Sequence, residues 1–124
     1  MRSSPGAIDI TNILSVCKDG GVLNRGLLRE MLGYFIDENQ RRMATLAEAI
    51  EAGQRDVVRD TAHAVRGSAA MLGAGRLHDL AWGLEMDVED PVASLRSAVD
   101  ILATEFQAVV ASIYATHPEA WSTS

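Results

Sequence analysis

Apolar residues recur at alternating steps of three and four along most of the 124-residue chain, the spacing that gathers them on one face of a helix. The clearest series is Val92, Leu95, Val99, Leu102, Phe106, Val109 and Ile113. A second runs Val58, Ala62, Val65, Ala69 and Leu72, and a third carries Leu28, Leu32, Phe35, Ile36, Met43, Leu46 and Ile50. Leu77, Leu80, Ala81 and Leu84 supply a fourth. Between them stand residues that end helices or tolerate left-handed backbone: Asp19-Gly20-Gly21, Gly53, Gly73-Ala74-Gly75 and Asp90-Pro91. The pattern predicts helices over about 22–52, 54–72, 75–87 and from Val92 to about Ile113. A short helix capped by Asp9 and carrying Ile10, Ile13, Leu14 and Cys17 precedes them. Asp90 offers a cap to the last helix and Pro91 a first-turn residue. No stretch alternates as a half-buried strand does, and the short connections favour antiparallel neighbours. The expected fold is all-α: an up-down-up-down four-helix bundle with a short additional N-terminal helix.

The same pattern divides the chain. Residues 1–7 are small and polar and read as a linker or an expression remnant; 8–115 form the bundle; 116–124 read as a frayed tail in which Trp121 is incidental. Composition sharpens this only where it excludes something. The net charge of −6 leaves no basic excess to neutralise phosphates, which argues against a nucleic-acid partner. A lone cysteine, Cys17, forms no internal disulfide, and among Ile13, Leu14 and Val16 it reads as a packed thiol of a cytoplasmic domain. Read residue by residue, no apolar run approaches the ~18 needed to cross a bilayer. The N-terminus lacks a signal-peptide core, so direct membrane contact is not expected. A tether to a membrane protein through a longer chain is compatible with the same sequence.

The candidate chemistry lies in Ala62 to Leu77, above all His63, Arg66, Gly67 and Ser68. His63 follows Ala62 of the apolar stripe and is therefore turned about 100° from it, to the edge of the buried face. Arg66 at i+3 and Gly67 at i+4 share its patch of helix surface. A cation beside an imidazole suits an anion. A glycine inside a strong helix costs about 1 kcal/mol relative to alanine, and here it leaves open space beside the ring. Each feature alone has a plain explanation: a solvated histidine, a common surface arginine, a glycine that eases helix packing. Together they describe a nucleophilic or phosphate-bearing histidine approached by something bulky. Ser68, another 100° round, reads as a small packing residue.

Other chemistries fit poorly. No Glu-x-x-His pair of a di-iron bundle occurs, and His78 and His117 lack ligand spacing to His63, so no metal site is expected. Gly73-Ala74-Gly75 lacks the Lys-Ser/Thr of a phosphate-binding loop, and nothing marks a hydrolytic nucleophile and base.

The run His63-Ala64-Val65-Arg66-Gly67-Ser68-Ala69, followed by Leu72-Gly73-Ala74 and Leu77, resembles the histidine-containing phosphotransfer (HPt) domain of multistep phosphorelays. The likeness extends more loosely from Asp9 to about Ile113. It implies that His63 accepts a phosphoryl group from a receiver-domain phosphoaspartate and passes it on, or back, to a receiver aspartate. The chain would then be a phosphocarrier without an ATP-binding domain of its own. It would bind no cofactor, the receiver bringing Mg²⁺, and its partners would be response-regulator receiver domains, including one in the same protein if the chain is the C-terminal domain of a membrane-bound hybrid sensor kinase. By the same resemblance Arg66 shields the phosphoryl charge, Gly67 gives the receiver access, and Glu85 is the candidate to orient the ring's second nitrogen. Many family members carry glutamine there, and a solvated Glu85 is the plain alternative. A partner surface is expected around Arg59 and Ala70, with Phe35, Ile36 and Asn39 of the long helix at its rim. Phe35 fits the core equally well. The competing function is a helical docking module that binds a receiver or another signalling partner and whose His63 is never phosphorylated. A dimerising kinase bundle fits less well for want of the ATP-binding domain.

Overall fold

The computed structural model of the chain describes residues 4–121. Its elements in order are α1 (Thr11–Val16), a hairpin of β1 (Lys18–Asp19) and β2 (Val22–Leu23), α2 (Arg25–Glu51), α3 (Arg55–Met71), α4 (Gly75–Met86), α5 (Val92–Thr116) and a final 3₁₀ turn, Pro118–Ala120. Helices α2 to α5 pack in ring order, each against two neighbours, and α1 covers one end. The fold is the expected all-α bundle with its short extra helix.

The apolar stripes explain the packing. Val58, Ala62, Val65, Ala69 and Leu72 are all at most 1% exposed, so α3 turns its whole predicted stripe inward. From α5, Leu95, Val99, Leu102, Phe106, Val109 and Ile113 enter the same core, and Phe106 meets Phe35 of α2 with ring centroids 6.1 Å apart. Cys17 is buried with Sγ 3.6 Å from Met31 Sδ, and burial pushes its thiol pKa up. By length and composition alone helix α5 is long and apolar enough to cross a membrane, which the run-by-run expectation missed. Its stripe faces the bundle core, and it carries the buried Glu105.

The α2–α3 and α3–α4 corners close in the same way. Gly53 and Gly73 adopt φ of +69° and +64°, the left-handed backbone that follows a helix C-terminus. Gln54 and Ala74 then donate back to Ala49 O (2.9 Å) and Ala69 O (3.0 Å), a Schellman closure. The corner at Gly73 is also crowded, because the N-terminal segment lies on it: Asp9 N–H donates to Leu72 O at 3.2 Å.

Several expectations are corrected. The stretch before α2 is not helical: Lys18 pairs with Leu23 and Asp19 with Val22 around Gly20–Gly21. A ladder two residues long has no alternation to read. Asn24 then caps α2, its side chain accepting from Leu27 N–H. Asp9 is not the cap of α1: Ile10 occupies that position without a side-chain cap bond, and Asp9, one residue earlier, accepts from Thr11 N–H and Oγ1. Asp90 does not cap α5; Pro91 occupies the cap position and no side chain bonds there.

Neither described terminus is loose. Gly6 N–H donates to Glu105 Oε2 at 2.8 Å, and Arg76 Nε lies 3.3 Å from the other oxygen of this 4%-exposed carboxylate. A buried charge persists only when paired in this way. At the other end Ala120 is fully buried, its carbonyl accepts from Arg29 Nε at 2.8 Å, and Trp121 packs on Tyr114. The tail therefore docks through residue 121. Residues 1–3 and 122–124 of the expected linker and tail lie outside the described residues.

Candidate functional site

His63 stands where the helical phase put it, one step off the buried stripe of α3. Its side chain is 64% exposed. Arg66, one turn on, is 24% exposed, and Glu85 reaches across from α4 with a side chain only 12% exposed. The three form a closed set of contacts. His63 Nδ1 lies 2.9 Å from Glu85 Oε1, Arg66 Nε donates to Glu85 Oε2 at 2.9 Å, and Arg66 Nη2 lies 2.9 Å from His63 Nδ1. The ring thus turns one nitrogen into this cluster. The guanidinium in turn lies over the indole of Trp82, its Cζ 4.5 Å from the ring centroid, within cation–π range.

Burial alone would push the Glu85 carboxyl up. The hydrogen bonds from His63 and Arg66, with their charges, outweigh it and hold the group below its ordinary value. The consequence for stability has a definite sign. A carboxyl whose folded pKa is depressed contributes fully above its unfolded pKa of ~4.3, and that contribution disappears as pH falls through the folded value. Glu85→Gln should therefore cost about 1–2 kcal/mol at pH 7. In urea unfolding, the gap between the two proteins should narrow steadily as pH drops below ~4.3. A gap that stays constant down to acid pH would remove the carboxylate's charge from the account.

Gly67 is exposed on the same face, and a Cβ built there meets nothing within 4 Å. Its missing side chain is therefore not needed for packing within the chain. Beside it a groove of about 310 Å³ opens between α2 and α3, walled by Ile13, Met31, Tyr34, Phe35, Gly67 and Met71. Tyr34 and Met71 are each 66% exposed at its rim.

The remaining expected surface residues divide. Ala70 is exposed, and Arg59 is exposed and paired with Asp56 at 3.2 Å. Ile36 is half-buried against the core. Asn39 is fully buried, so the rim expected there is instead core, and Phe35, 6% exposed, belongs to the core while also lining the groove. The reason is an interhelical bond: Asn39 Nδ2 donates to Ser68 Oγ at 2.9 Å and to Phe35 O at 2.9 Å. Ser68 is thus a hydrogen-bond partner across α2 and α3 as well as a small packing residue. Two contributors went unread in the sequence, as did the contact of a third with Arg66. Tyr34 and Met71 are scattered apolar residues without a period. Trp82, three residues before Glu85, shares its helix face, which was the available signal. Among the described residues no group of three or more His, Cys, Asp and Glu side chains is placed to hold a metal ion.

Comparison with curated proteins finds no match, and comparison with solved structures finds none either. The family model for the Hpt domain matches residues 30–112, two thirds of the chain, from the second turn of α2 to near the end of α5. With that match added to a four-helix bundle presenting His63 on its surface, the chain belongs to the Hpt domain family.

Proposed function

We propose that His63 is the phosphoryl acceptor of this phosphorelay module, and that Nε2 is the atom that carries the group. Hpt domains are phosphocarrier modules, and the observation that carries the residue assignment is the orientation of one ring. Nδ1 is engaged by Glu85 and Arg66, which leaves Nε2 as the nitrogen on the exposed edge. A neutral imidazole nitrogen is a competent nucleophile near pH 7. Its lone pair attacks the phosphorus of a receiver phosphoaspartate. The N–P bond forms as the P–O bond breaks, and the leaving electron pair returns to the aspartate carboxylate. Reversal against another receiver passes the group on. Such transfer asks the protein mostly for position and charge.

The other residues fall into supporting roles. Glu85 holds the Nδ1 hydrogen in the reactive tautomer and balances the charge of the phosphorylated ring. Arg66 neutralises the phosphoryl oxygens, and Gly67 keeps the approach clear. The receiver supplies Mg²⁺, and an apolar face of it fits the groove rimmed by Tyr34 and Met71, with Arg59, Ala70 and Ile36 nearby. Under this reading the domain works in the cytoplasm, beside its receivers.

The test is direct. A ³²P-phosphorylated receiver incubated with this domain should transfer label to it. The label should be acid-labile and alkali-stable and should be absent from His63→Gln. Label on the substituted protein, still folded by circular dichroism, would overturn the assignment. Receiver binding without label on the native protein would favour a docking module instead.

A further inference from the structure

The contact left without a role so far is the stack of Arg66 on Trp82. A guanidinium has hydrogens to give and no lone pair to receive one. With Nη2 at 2.9 Å from His63 Nδ1, a hydrogen bond there needs the lone pair of Nδ1, and the hydrogen of a neutral ring is then on Nε2. Such a ring has no lone pair on its exposed edge. Glu85 Oε1, also 2.9 Å from Nδ1, asks for the opposite. A carboxylate only accepts, so its bond needs Nδ1–H and frees Nε2 for attack. Arg66 and Glu85 compete for one atom, and the two tautomers are the two outcomes. What tilts the competition is where the guanidinium is held. Its Nε is fixed by Glu85 Oε2 and its face by Trp82 at 4.5 Å, and both aim Nη2 at Nδ1.

On the reading of His63 as phosphoryl acceptor, we propose that Trp82 is a positioning residue that restrains the site: by holding Arg66 against Nδ1 it keeps the ring in its unreactive Nε2–H tautomer until a phosphoryl anion draws the guanidinium away. The protons balance. The Nε2 hydrogen leaves to water, a proton from water settles on Nδ1 and is held by Glu85, and the freed Nε2 pair attacks phosphorus. Trp82 is 45% exposed, so its removal leaves the core intact.

The ring-nitrogen chemical shifts of ¹⁵N-labelled protein report the tautomer directly. They should be read at about pH 9, above the range in which imidazole ordinarily titrates. Trp82→Ala should raise the ratio of Nδ1–H to Nε2–H by about fivefold, the change expected from losing a partly desolvated cation–π contact. Trp82→Phe, which keeps a weaker face, should fall between, and Arg66→Ala should shift the ratio in the same direction. Initial label uptake from a phosphorylated receiver should rise in Trp82→Ala roughly with that ratio. Unchanged nitrogen shifts in Trp82→Ala would overturn the proposal, and so would a raised ratio with no faster uptake. If the native protein accepts no label at all, it is the phosphoacceptor reading that fails; the nitrogen shifts still decide whether Trp82 sets the tautomer.

Discussion

Gly67→Gln should give a more stable protein that no longer takes label from a receiver. The two effects have separate causes. Within the chain a Cβ at this position meets nothing within 4 Å, and the residue lies inside α3. Replacing glycine there gains about 0.5–1 kcal/mol of helix propensity, seen as a melting temperature a few degrees higher. The added side chain, however, stands one turn from His63, in the path of whatever must come in line with Nε2. A misplacement of about 1 Å is enough to cost ~100-fold in a positioned reaction, and a glutamine displaces a docked surface by more. The initial rate of label transfer should therefore fall at least ~100-fold, with Gly67→Ala between the two. Transfer at the native rate in a protein of raised stability would show that nothing approaches the ring from this side.

A comparable substitution one corner away should act on the fold instead. Gly73 and Gly53 share nearly the same backbone, φ +64° and +69°, yet their surroundings differ. A Cβ at Gly53 meets nothing within 4 Å, whereas at Gly73 it falls 2.2 Å from Asp9 O and 2.8 Å from Asp9 N. Those are backbone atoms held by the Asp9–Leu72 hydrogen bond, and they have no rotamer by which to move aside. Gly53→Ala should cost the left-handed penalty alone, about 1–2 kcal/mol. Gly73→Ala should add the detachment of the N-terminal segment, with the buried Ile10 and Ile13, for a total of about 3 kcal/mol or more. Against a typical stability of 5–15 kcal/mol that is a large share, and thermal unfolding should fall by roughly 10 °C. Equal losses in the two variants would mean that Asp9 gives way freely.

The bundle was legible because its signal is periodic. Val58 to Leu72 and Leu95 to Ile113 repeat with the helix, and their burial follows. The family resemblance was legible because His63, Arg66 and Gly67 are close in sequence. What the sequence hid lies between elements. Asn39 and Ser68 are 29 residues apart, and nothing in either helix says that they face each other; a polar residue near a presumed surface was therefore assigned to it. Phase could place Glu85 on a flank of its helix, but only the packing of α4 on α3 brings its carboxylate to His63. The docked termini were missed for the same reason. Ser-Pro-Gly-Ala and Thr-His-Pro-Glu-Ala have the composition of loose chain, and their order comes from partners distant in sequence, Glu105 and Arg29 among them.

Every polar contact described at His63 comes from α3 and α4, while the groove beside it is walled by α1, α2 and α3. Only α3 belongs to both. The bundle thereby separates reactivity from recognition: Met31 and Tyr34 on α2 can drift with the identity of a partner, and no atom that touches the imidazole changes. Trp82 and Glu85 on α4 can be retuned without altering the walls of that groove. Two descendants of one such gene could come to serve different receivers at the same intrinsic speed, or the same receiver at different speeds, through substitutions on opposite sides of a single helix.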